Sequence, residues 1–491
     1  MIREYKYTKF QMKPTVILIN PPLSLEDRYG KDMKQFGAVS EPLGIAYIAG
    51  YLDSQDIPVR IIDAPALNLT IDDVTKEIVH GQYTIIGISM LTPAFGIVKE
   101  LCRRLKKAYP EGMIVLGGAH CTVLPERTLK EINDAQIVCI GEGELTMAEI
   151  AKTDDYANLD QIMGICYRLN NKVIRTETRS YIKDLDTIPP PARYLLPMEK
   201  YHLTASRVSG ESYCPTIIVA RGCPFSCTFC SRTFGRTFRA HSIDRIISEI
   251  RSLIKEYNIS QINIEADTLT VKKDFLKGMC NAFIESGISR KIKWTCESRV
   301  DTVDEETLKL MRKAGCWQVS YGVETGSQRL LDIINKGVTI KQIENTFRLT
   351  KKVGITIRGF FMLGLPTETK EESMTTIGFA KKLNPLWAQF TITVPYPGTK
   401  MFEDLDQAGK IRTYEWAKYN TWSGWKGEDE IPFIPEGRTI EELGKLQKQA
   451  LRQFYIRPSV FIRFLKSIQS FYDLKKFFMG FWVLVKSKLS Q

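Results

Sequence analysis

Short apolar runs alternate with amphipathic stretches over the first third of the chain. Five of these runs are rich in β-branched residues and lead into Gly, Pro or polar residues. They are TVILIN (15–20), PVRIID (58–63), TIIGIS (84–89), MIVLGG (113–118) and QIVCIG (136–141). Apolar strands separated by helical patterns predict a parallel sheet covered by helices on both faces. We therefore predict an α/β domain with a doubly wound, Rossmann-like sheet over residues 14–150.

A second series of apolar runs repeats this pattern six times in the middle of the chain. The runs are TIIVA (216–220), INIEA (262–266), KWTCE (293–297), QVSYG (318–322), TIRGFFM (356–362) and AQFTITV (388–394). Each run is followed by a stretch with helical periodicity, as in residues 242–257. Six strand-plus-helix units predict a (β/α)6 partial TIM barrel over residues 206–400.

The remaining segments differ in composition from these two series. Residues 151–205 contain a hairpin-like RLNNKVIRT and the extended run IPPPARYLLP. Consecutive prolines disfavour helix, so we predict a linker there. Residues 401–455 have few strand signals, and we predict a small, mainly helical C-terminal region on the substrate side of the barrel. Residues 456–491 interleave basic and aromatic residues, which predicts basic amphipathic helices.

Composition narrows the class of protein further. The 491 residues are 44% hydrophobic, which suits several packed domains and excludes a disordered or fibrous chain. No apolar run is long enough for an ordinary transmembrane helix, and the N-terminus is too polar for a secretory signal. Eleven cysteines, an odd number, argue against a disulfide scaffold and for ligand chemistry in a reducing compartment. We therefore expect a cytoplasmic protein.

Half of the net charge lies in the C-terminal tail. The chain has a formal charge of +12, and residues 456–491 carry seven Lys and Arg against one Asp, a difference of +6. In one interpretation the aromatic face of the tail packs on the barrel; in the other, the tail lies on the inner face of an anionic membrane as a peripheral contact. Nucleic acid is not an expected partner, because no recognition motif accompanies the charge.

Three cysteines follow the first barrel strand in a C-x3-C-x2-C run. They are Cys223, Cys227 and Cys230. Three thiolates on one loop can bind three irons of a four-iron cluster and leave the fourth open to a small molecule. One alternative is a structural zinc site that takes a fourth ligand from Cys214 or His241, and another is a set of inert buried thiols.

This loop resembles the signature of the radical S-adenosylmethionine (SAM) enzymes, including the aromatic Phe229 before the last cysteine. The resemblance implies that Cys223, Cys227 and Cys230 hold a 4Fe–4S cluster whose fourth iron is chelated by SAM. It also implies an external low-potential electron donor, such as flavodoxin or ferredoxin. Electron transfer would then cleave SAM to a 5′-deoxyadenosyl radical that abstracts hydrogen from an unactivated carbon.

Other barrel strand ends are similar to the SAM-contacting positions of that family. With Phe229, the residues at these positions are Glu265, Ser298, Arg299 and Glu324. An ammonium needs a carboxylate partner, and a carboxylate is best held by a guanidinium fork. Glu324 and Arg299 are therefore the favoured SAM contacts. The alternative for each residue is an ordinary salt bridge at the barrel rim.

The N-terminal domain resembles the cobalamin-binding half of cobalamin-dependent radical SAM enzymes. The similar segments are EPLGIAYIA (41–49), GGAHCTVLPE (117–126) and GEGE (141–144), and the resemblance covers roughly residues 14–457. It implies cobalamin contacts at the strand ends. The expected contacts are Ser89, Leu91, Thr92, Gly117, Gly118, His120, Thr122, Gly141, Glu142 and Gly143.

The histidines depart from the classical cobalamin pattern. None of the four has Asp two positions before it, as the D-x-H-x-x-G loop requires. We therefore expect no histidine ligand of that style, and a lower cofactor face covered by the loop near residues 89–93. His120 is the one histidine in a plausible pocket position, where a hydrogen-bonding loop role is the alternative. A nicotinamide cofactor is not expected, because residues 20–23 lack G-x-G-x-x-G.

The resemblance implies an enzyme that uses the cluster, SAM and cobalamin to methylate an unactivated carbon of a small-molecule or lipid-like substrate. An alternative in the same subfamily is a cyclase of the anaerobic magnesium-protoporphyrin ester cyclase type. An alternative from another class is a non-catalytic cobalamin and iron–sulfur sensor.

Overall fold

The computed structural model describes residues 15–29, 37–153, 156–170, 172–204, 206–208, 213–420, 431–458, 460 and 462. The chain divides into two compact units, which we describe separately. Unit 1 comprises the described part of Met1–Leu23 together with Pro42–Ile182 and Thr187–Met198. Unit 2 comprises the described part of Ser24–Glu41, Lys183–Asp186 and Glu199–Gln491.

The described residues form fifteen strands and seventeen α-helices. The strands are β1 (Val16–Asn20), β2 (Val59–Asp63), β3 (Ile85–Ser89), β4 (Met113–Gly117), β5 (Ile137–Cys139), β6 (Ile165–Leu169), β7 (Lys172–Arg175), β8 (Thr216–Ile218), β9 (Ala220–Arg221), β10 (Arg239–Ala240), β11 (Gln261–Glu265), β12 (Lys293–Ser298), β13 (Cys316–Glu324), β14 (Thr356–Leu363) and β15 (Trp387–Ile392). The helices are α1 (Leu25–Tyr29), α2 (Leu43–Ser54), α3 (Ala64–Leu67), α4 (Ile71–Gly81), α5 (Phe95–Ala108), α6 (Ala119–Val123), α7 (Pro125–Glu131), α8 (Gly143–Lys152), α9 (Ile243–Tyr257), α10 (Lys273–Glu285), α11 (Ile288–Lys291), α12 (Glu305–Lys313), α13 (Gln328–Ile333), α14 (Ile340–Lys352), α15 (Lys370–Leu383), α16 (Lys400–Gln407) and α17 (Ile440–Tyr455).

Unit 1 is a seven-stranded sheet in the order β2-β1-β3-β4-β5-β6-β7. The five predicted strands, β1 to β5, pair in parallel. The chain steps from β1 to β2 on one side and then to β3 on the other, so the order reverses between β1 and β3. Ligands of doubly wound sheets bind beyond the carboxyl ends of the strands at such a reversal. The predicted doubly wound fold is confirmed.

Helices cover both faces of this sheet because successive strand residues point to opposite sides. On one face, α2 and α8 pack on alternate apolar residues of β1, represented by Val16 and Leu18. On the other face, the buried residues of α4 and α5 lie in contact with each other, while Ile17 and Ile19 of β1 are also fully buried. A strand buried on both faces accounts for the unbroken apolar runs of the sequence.

Residues 151–205 were predicted to form a linker, and this prediction is wrong for the hairpin within them. Strands β6 and β7 pair with each other antiparallel, and β6 pairs antiparallel with β5, so the hairpin extends the sheet at one edge. Ile165 and Tyr167 belong to the same buried cluster as the strands of the predicted domain. Residues 187–198 also belong to unit 1, where Pro190 and Ala192 approach Gly50 so closely that a side chain at Gly50 would clash.

Unit 2 is built on a six-stranded parallel sheet in the order β15-β14-β13-β12-β11-β8. These are the six predicted barrel strands, and the predicted partial barrel is confirmed. Its outer side forms one apolar cluster with the surrounding helices. In that cluster Trp294 is fully buried, packs edge-on against Phe283 and donates its indole N–H to Ala314 O at 2.9 Å.

Helices of unit 2 begin at residues that cap their free N–H groups. Ser242 accepts a hydrogen bond from Arg245 N at the start of α9. Thr339 and Thr369 form reciprocal capping boxes at the starts of α14 and α15. Each such cap stabilises a helix by about 1 kcal/mol, so these residues fix where the barrel helices begin after each strand.

The C-terminal region is small and helical, as predicted, and α17 packs on the last barrel strand. The Tyr455 hydroxyl donates to Ala388 O at 2.8 Å and accepts from Ala388 N at 3.0 Å. The predicted tail helices, residues 456–491, lie almost wholly outside the described residues. Among the residues that are described, no helix is long and apolar enough to cross a membrane.

Candidate functional site

The cysteine loop is held at its base by a short antiparallel ribbon. Strands β9 and β10 pair through Arg221 with Arg239 and through their alanine neighbours, so residues 222–238 leave the barrel and return to the same place. Gly222 begins the loop with a φ of 90°, and a Cβ there would lie 2.1 Å from Thr237 O. Only glycine fits this left-handed position beside another main chain.

A second contact ties the loop to the end of β11. Gly222 N donates to Asp267 Oδ2 at 2.6 Å, and Cys223 N donates to Gly235 O at 3.2 Å. Desolvation is the largest cause that raises the pKa of Asp267, and the hydrogen bond from Gly222 opposes it. Thr268, the next residue, places its hydroxyl 3.2 Å from Cys223 Sγ. Contacts within the protein therefore hold the loop at both of its ends.

The three loop cysteines are not in disulfide bonds and lie near one another. Cys227 is buried, Cys223 is half-buried and Cys230 is exposed. Desolvation by the surrounding protein is the largest cause that raises the pKa of the Cys230 thiol; together with the neighbouring Cys227 and Cys223, and against the opposing effect of Lys336, it brings this pKa to about 11. Three mutually repelling thiolates favour binding to a cationic centre that stabilises their charged form.

The three thiols share one loop in the C-x3-C-x2-C spacing. In a 4Fe–4S cluster each cysteine ligates a different iron. Three free thiols on one anchored loop fit such a cluster.

Arg299 reaches the loop from the end of β12. Its Nη1 lies 3.3 Å from Cys227 Sγ, and its guanidinium carbon lies 3.7 Å from the centre of the Phe225 ring. Nε and Nη2 donate to the two carboxylate oxygens of Asp301, each at 2.9 Å, and Nη2 also donates to Lys336 O at 2.6 Å. Although burial works against the charged form, the Asp301 contact raises the pKa of Arg299.

Glu324, at the end of β13, forms a buried ion pair. Its Oε1 accepts from Lys336 Nζ at 2.7 Å, and the two side chains are only 8% and 6% exposed. Lys336 Nζ also lies 5.5 Å from the centre of the Phe229 ring. Glu324 has a φ of 64°, a conformation that non-glycine residues adopt mainly under constraint. The two favoured SAM contacts, Glu324 and Arg299, therefore each have an intramolecular partner.

Glu265 and Ser298 have different surroundings. Glu265 is 48% exposed; its Oε1 accepts from Asn263 Nδ2 at 3.1 Å and lies 3.8 Å from Arg207 Nη1. Arg207 also contacts Glu297 Oε1 at 2.7 Å. Desolvation is the largest cause that raises the pKa of Glu265, and Arg207 opposes it. The hydroxyl of Ser298 is 2.7 Å from that of Thr270, so Ser298 is part of a buried hydroxyl cluster.

In unit 1, the structure brings together the predicted strand-end residues of β3, β4 and β5. Met90 N donates to Gly117 O at 2.7 Å, and His120 N donates to Met90 O at 3.2 Å. Thr122 links the other pair of loops, because its hydroxyl donates to Gly118 O at 2.9 Å and accepts from Gly141 N at 3.0 Å. These contacts join the loops at the carboxyl ends of β3, β4 and β5 into one surface, the strand-end edge, which contains several glycines.

Individual residues of this edge differ in their availability to a ligand. The side chain of Leu91 is 52% exposed, and Gly118 is exposed at a φ of 99°. Ser89 and Gly143 are half-buried. Glu142 is buried, and its carboxylate accepts from Ile182 N at 2.7 Å, which indicates a structural role in holding that segment. The exposed apolar Leu91 beside glycine loops fits the close approach of a large flat cofactor.

His120 is turned inward from this edge. It is 1% exposed, its Nδ1 lies 3.2 Å from Thr92 Oγ1, and its ring centre is 5.2 Å from that of Phe95. Desolvation lowers the pKa of His120 to about 4, against the opposing effect of Glu131. A neutral histidine held by a buried threonine suits the loop-positioning alternative.

Three residues of unit 2 at the site were missing from the sequence predictions. They are Thr268, Asp301 and Lys336. Asp301 stands two positions after Arg299, so an R-x-D pattern at a strand end is a local signal that points to an ion pair. Lys336 follows α13 and has no comparable signal, because only the fold brings it to Glu324.

Known protein families match the sequence of each unit. The sequence profile of the Radical SAM superfamily matches residues 217–380, and that of the B12 binding domain matches residues 32–151. A protein of Pyrococcus horikoshii named uncharacterized methyltransferase PH0819 is 35% identical over 451 residues, which are 91% of this chain and 94% of that protein. The anaerobic magnesium-protoporphyrin IX monomethyl ester cyclase of Rubrivivax gelatinosus is 31% identical and is covered over 68% of its length by 77% of this chain.

A solved structure has a similar fold. It is the radical S-adenosylmethionine methyltransferase TsrM from Kitasatospora setae, solved with cobalamin and a 4Fe–4S cluster bound. The TM-score is 0.67 at 15% identity, with 91% of this chain and 90% of that one covered. Together with the anchored three-cysteine loop and the strand-end edge of unit 1, these similarities show that the chain belongs to the radical SAM enzymes that carry a B12-binding domain.

Proposed function

We propose that this protein is a cobalamin-dependent radical SAM methyltransferase that methylates an unactivated carbon of a small-molecule substrate. The observation that carries the proposal is the loop 222–238, which presents three free thiols in the signature spacing and is anchored at both ends. The matching relative from Pyrococcus horikoshii, which is named a methyltransferase and matches over nearly its whole length, supports methyl transfer.

Cys223, Cys227 and Cys230 would hold the 4Fe–4S cluster. When bound, the cluster with SAM supplies a reductively generated radical that abstracts hydrogen, and cobalamin supplies a carrier for the methyl group. The protein's own part is to fix the thiols and limit the access of water. Burial of Cys227, the Gly222–Asp267 hydrogen bond and the Thr268 hydroxyl at Cys223 serve this purpose.

For SAM, the predicted contacts are Phe229, Glu265, Ser298, Arg299 and Glu324. Glu265 has a half-exposed carboxylate whose nearby cation, Arg207, is 3.8 Å away, so it is the predicted contact best able to accept an ammonium. Phe229 lies beside the loop cysteines and beside Lys336. Lys336, already paired with Glu324, adds a positive charge that suits a carboxylate.

For cobalamin, the proposed surface is the strand-end edge formed by residues 89–92, 117–122 and 141–143. Leu91 presents an exposed apolar side chain, and the glycines allow close approach. His120 would act through its contact with Thr92, by positioning this edge, and not as a cobalt ligand.

The partners outside the chain are a small-molecule substrate and a low-potential electron donor such as flavodoxin or ferredoxin. Lipid-like substrates and a peripheral membrane contact through residues 456–491 remain predictions from the charge and aromatic content of the tail.

The test is product analysis after anaerobic reconstitution with iron, sulfide, cobalamin, SAM and reductant. We expect the wild type to form 5′-deoxyadenosine, Cys227→Ala to form none, and Cys280→Ala to retain the activity. Cys280 is a matched control because it is a buried thiol of α10 in the core of unit 2, away from the signature.

The same assay separates the alternatives. S-adenosylhomocysteine formed together with 5′-deoxyadenosine supports methyl transfer. 5′-Deoxyadenosine without S-adenosylhomocysteine would favour a cyclase, the activity of the relative that is 31% identical. A full cluster with neither product would refute the enzyme assignment and favour a sensor.

A further inference from the structure

We propose that Arg299 is a positioning residue for the cluster, acting through the sulfur of Cys227, and that the Arg299–Asp301 pair sets the ease with which the cluster is reduced. The proposal deepens the proposed function, because it rests on Cys227 being a cluster ligand. It assigns Arg299 a role different from the SAM contact expected from the sequence.

The geometry leaves little of Arg299 for an external carboxylate. A guanidinium recognises a carboxylate best through two parallel N–H groups. In Arg299 the Nε and Nη2 edge already holds both oxygens of Asp301, and Nη2 also holds the main chain of Lys336. The group that remains, Nη1, lies 3.3 Å from Cys227 Sγ.

The orientation of Arg299 is fixed by contacts on several sides. The guanidinium carbon lies over the Phe225 ring, 3.7 Å from its centre, and the Arg299 side chain is only 8% exposed. Phe225 lies two residues before Cys227 on the same loop, so the ring contact and the sulfur contact come from one segment. A rigid, buried cation with a single N–H group directed at a thiolate is suited to outer-sphere control of a metal centre.

Charge determines the direction of the effect. One-electron reduction adds a negative charge to the cluster and its thiolates, and hydrogen bonds and charges at the sulfurs set cluster potentials. The Arg299 cation stabilises the reduced form more than the oxidised form. Asp301 lies against the same guanidinium, so its negative charge offsets part of that stabilisation. Removing Arg299 and neutralising Asp301 should therefore shift the potential in opposite directions.

The experiment is a potentiometric titration of the reconstituted full-length protein without SAM, with dithionite as the reductant and the electron paramagnetic resonance signal of the reduced cluster as the readout. Arg299→Met should lower the equilibrium constant for cluster reduction at least tenfold. For a one-electron couple this is a fall of about 59 mV in the reduction potential. Asp301→Asn should shift the potential upward. Arg438→Met is the matched control, because Arg438 is a 5% exposed side chain paired with Glu442 and should leave the potential unchanged.

Omission of SAM separates the two roles of Arg299. If Arg299→Met leaves the SAM-free potential unchanged and instead abolishes the spectral change caused by added SAM, the proposal is overturned and the SAM-contact prediction is supported. If Arg299→Met does not retain a cluster, Asp301→Asn decides alone: a rise in potential supports the proposal, and no change or a fall overturns it. Failure of the wild type to form any cluster would instead refute the proposed function.

Discussion

The buried Glu324–Lys336 pair allows a quantitative test of the site's internal structure. The oxygen and nitrogen are 2.7 Å apart in side chains that are 8% and 6% exposed. At an effective dielectric constant of about 20, their attraction is about 6 kcal/mol, but most of this offsets the cost of removing both charges from water. Removal of one partner leaves the other charge buried and uncompensated. Lys336→Met should therefore destabilise unit 2 by about 3–5 kcal/mol.

A double variant distinguishes loss of charge pairing from loss of packing. Glu324→Gln keeps the size and backbone preference of the glutamate at its φ of 64° while removing the charge. Combined with Lys336→Met, it should recover at least half of the lost free energy of unfolding, because no uncompensated charge remains.

The assay is urea unfolding of the cluster-free protein, with tryptophan fluorescence as the signal. No tryptophan of the sequence falls within the ranges of unit 1, and the described ones, from Trp294 to Trp416, lie in unit 2, so the signal reports the unfolding of unit 2. A loss of stability below about 1 kcal/mol for Lys336→Met, or a double variant no more stable than the single one, would show that Lys336 does not neutralise a buried Glu324 charge.

Three further predictions concern the two cofactor surfaces. The pKa of His120 is about 4 in the folded protein and about 6.5 in the unfolded chain. The contribution of neutral His120 to stability is therefore fully present above about pH 6.5 and is lost as the pH falls towards 4. Between pH 7.5 and 5, calorimetry should show the wild type losing about 2 kcal/mol more than His120→Gln; equal losses would contradict the burial effect. Gly222→Ala should reduce the iron content after reconstitution by at least half, because its Cβ would meet Thr237 O, whereas Gly287→Ala, which has a positive φ but no close neighbour, should retain full content. Cys227→Ala should bind cobalamin as the wild type does, by equilibrium dialysis, and loss of binding would contradict the assignment of the two cofactors to separate units.

Local patterns carried most of the information about the fold. The runs at 15–20 and 84–89 predict β1 and β3 because a strand buried on both faces has no polar residue to interrupt it. The RLNNKVIRT hairpin was visible in the sequence, but its place in the sheet was not. Whether an edge hairpin joins a neighbouring sheet depends on tertiary packing, here the burial of Ile165 and Tyr167.

The site shows the same division between local and long-range information. The cysteine spacing lies on one loop and is readable directly, as is the glycine before it. The partner of Arg299 is also close in sequence, yet the R-x-D pattern alone does not show that Nε and Nη2 bind Asp301 instead of a ligand. Lys336 comes to Glu324 through the turn after α13, and Glu142 turns to Ile182, forty residues later; neither contact has a sequence signal.

The most direct test of methyl transfer uses SAM with a deuterated methyl group. The reconstituted enzyme, with cobalamin and reductant, is incubated with a small-molecule extract of the cells that make it, and products are followed by mass spectrometry. We expect a metabolite that gains the deuterated methyl group on carbon, together with S-adenosylhomocysteine and 5′-deoxyadenosine, all absent with Cys227→Ala. Formation of 5′-deoxyadenosine with no labelled metabolite and no S-adenosylhomocysteine would contradict methyl transfer.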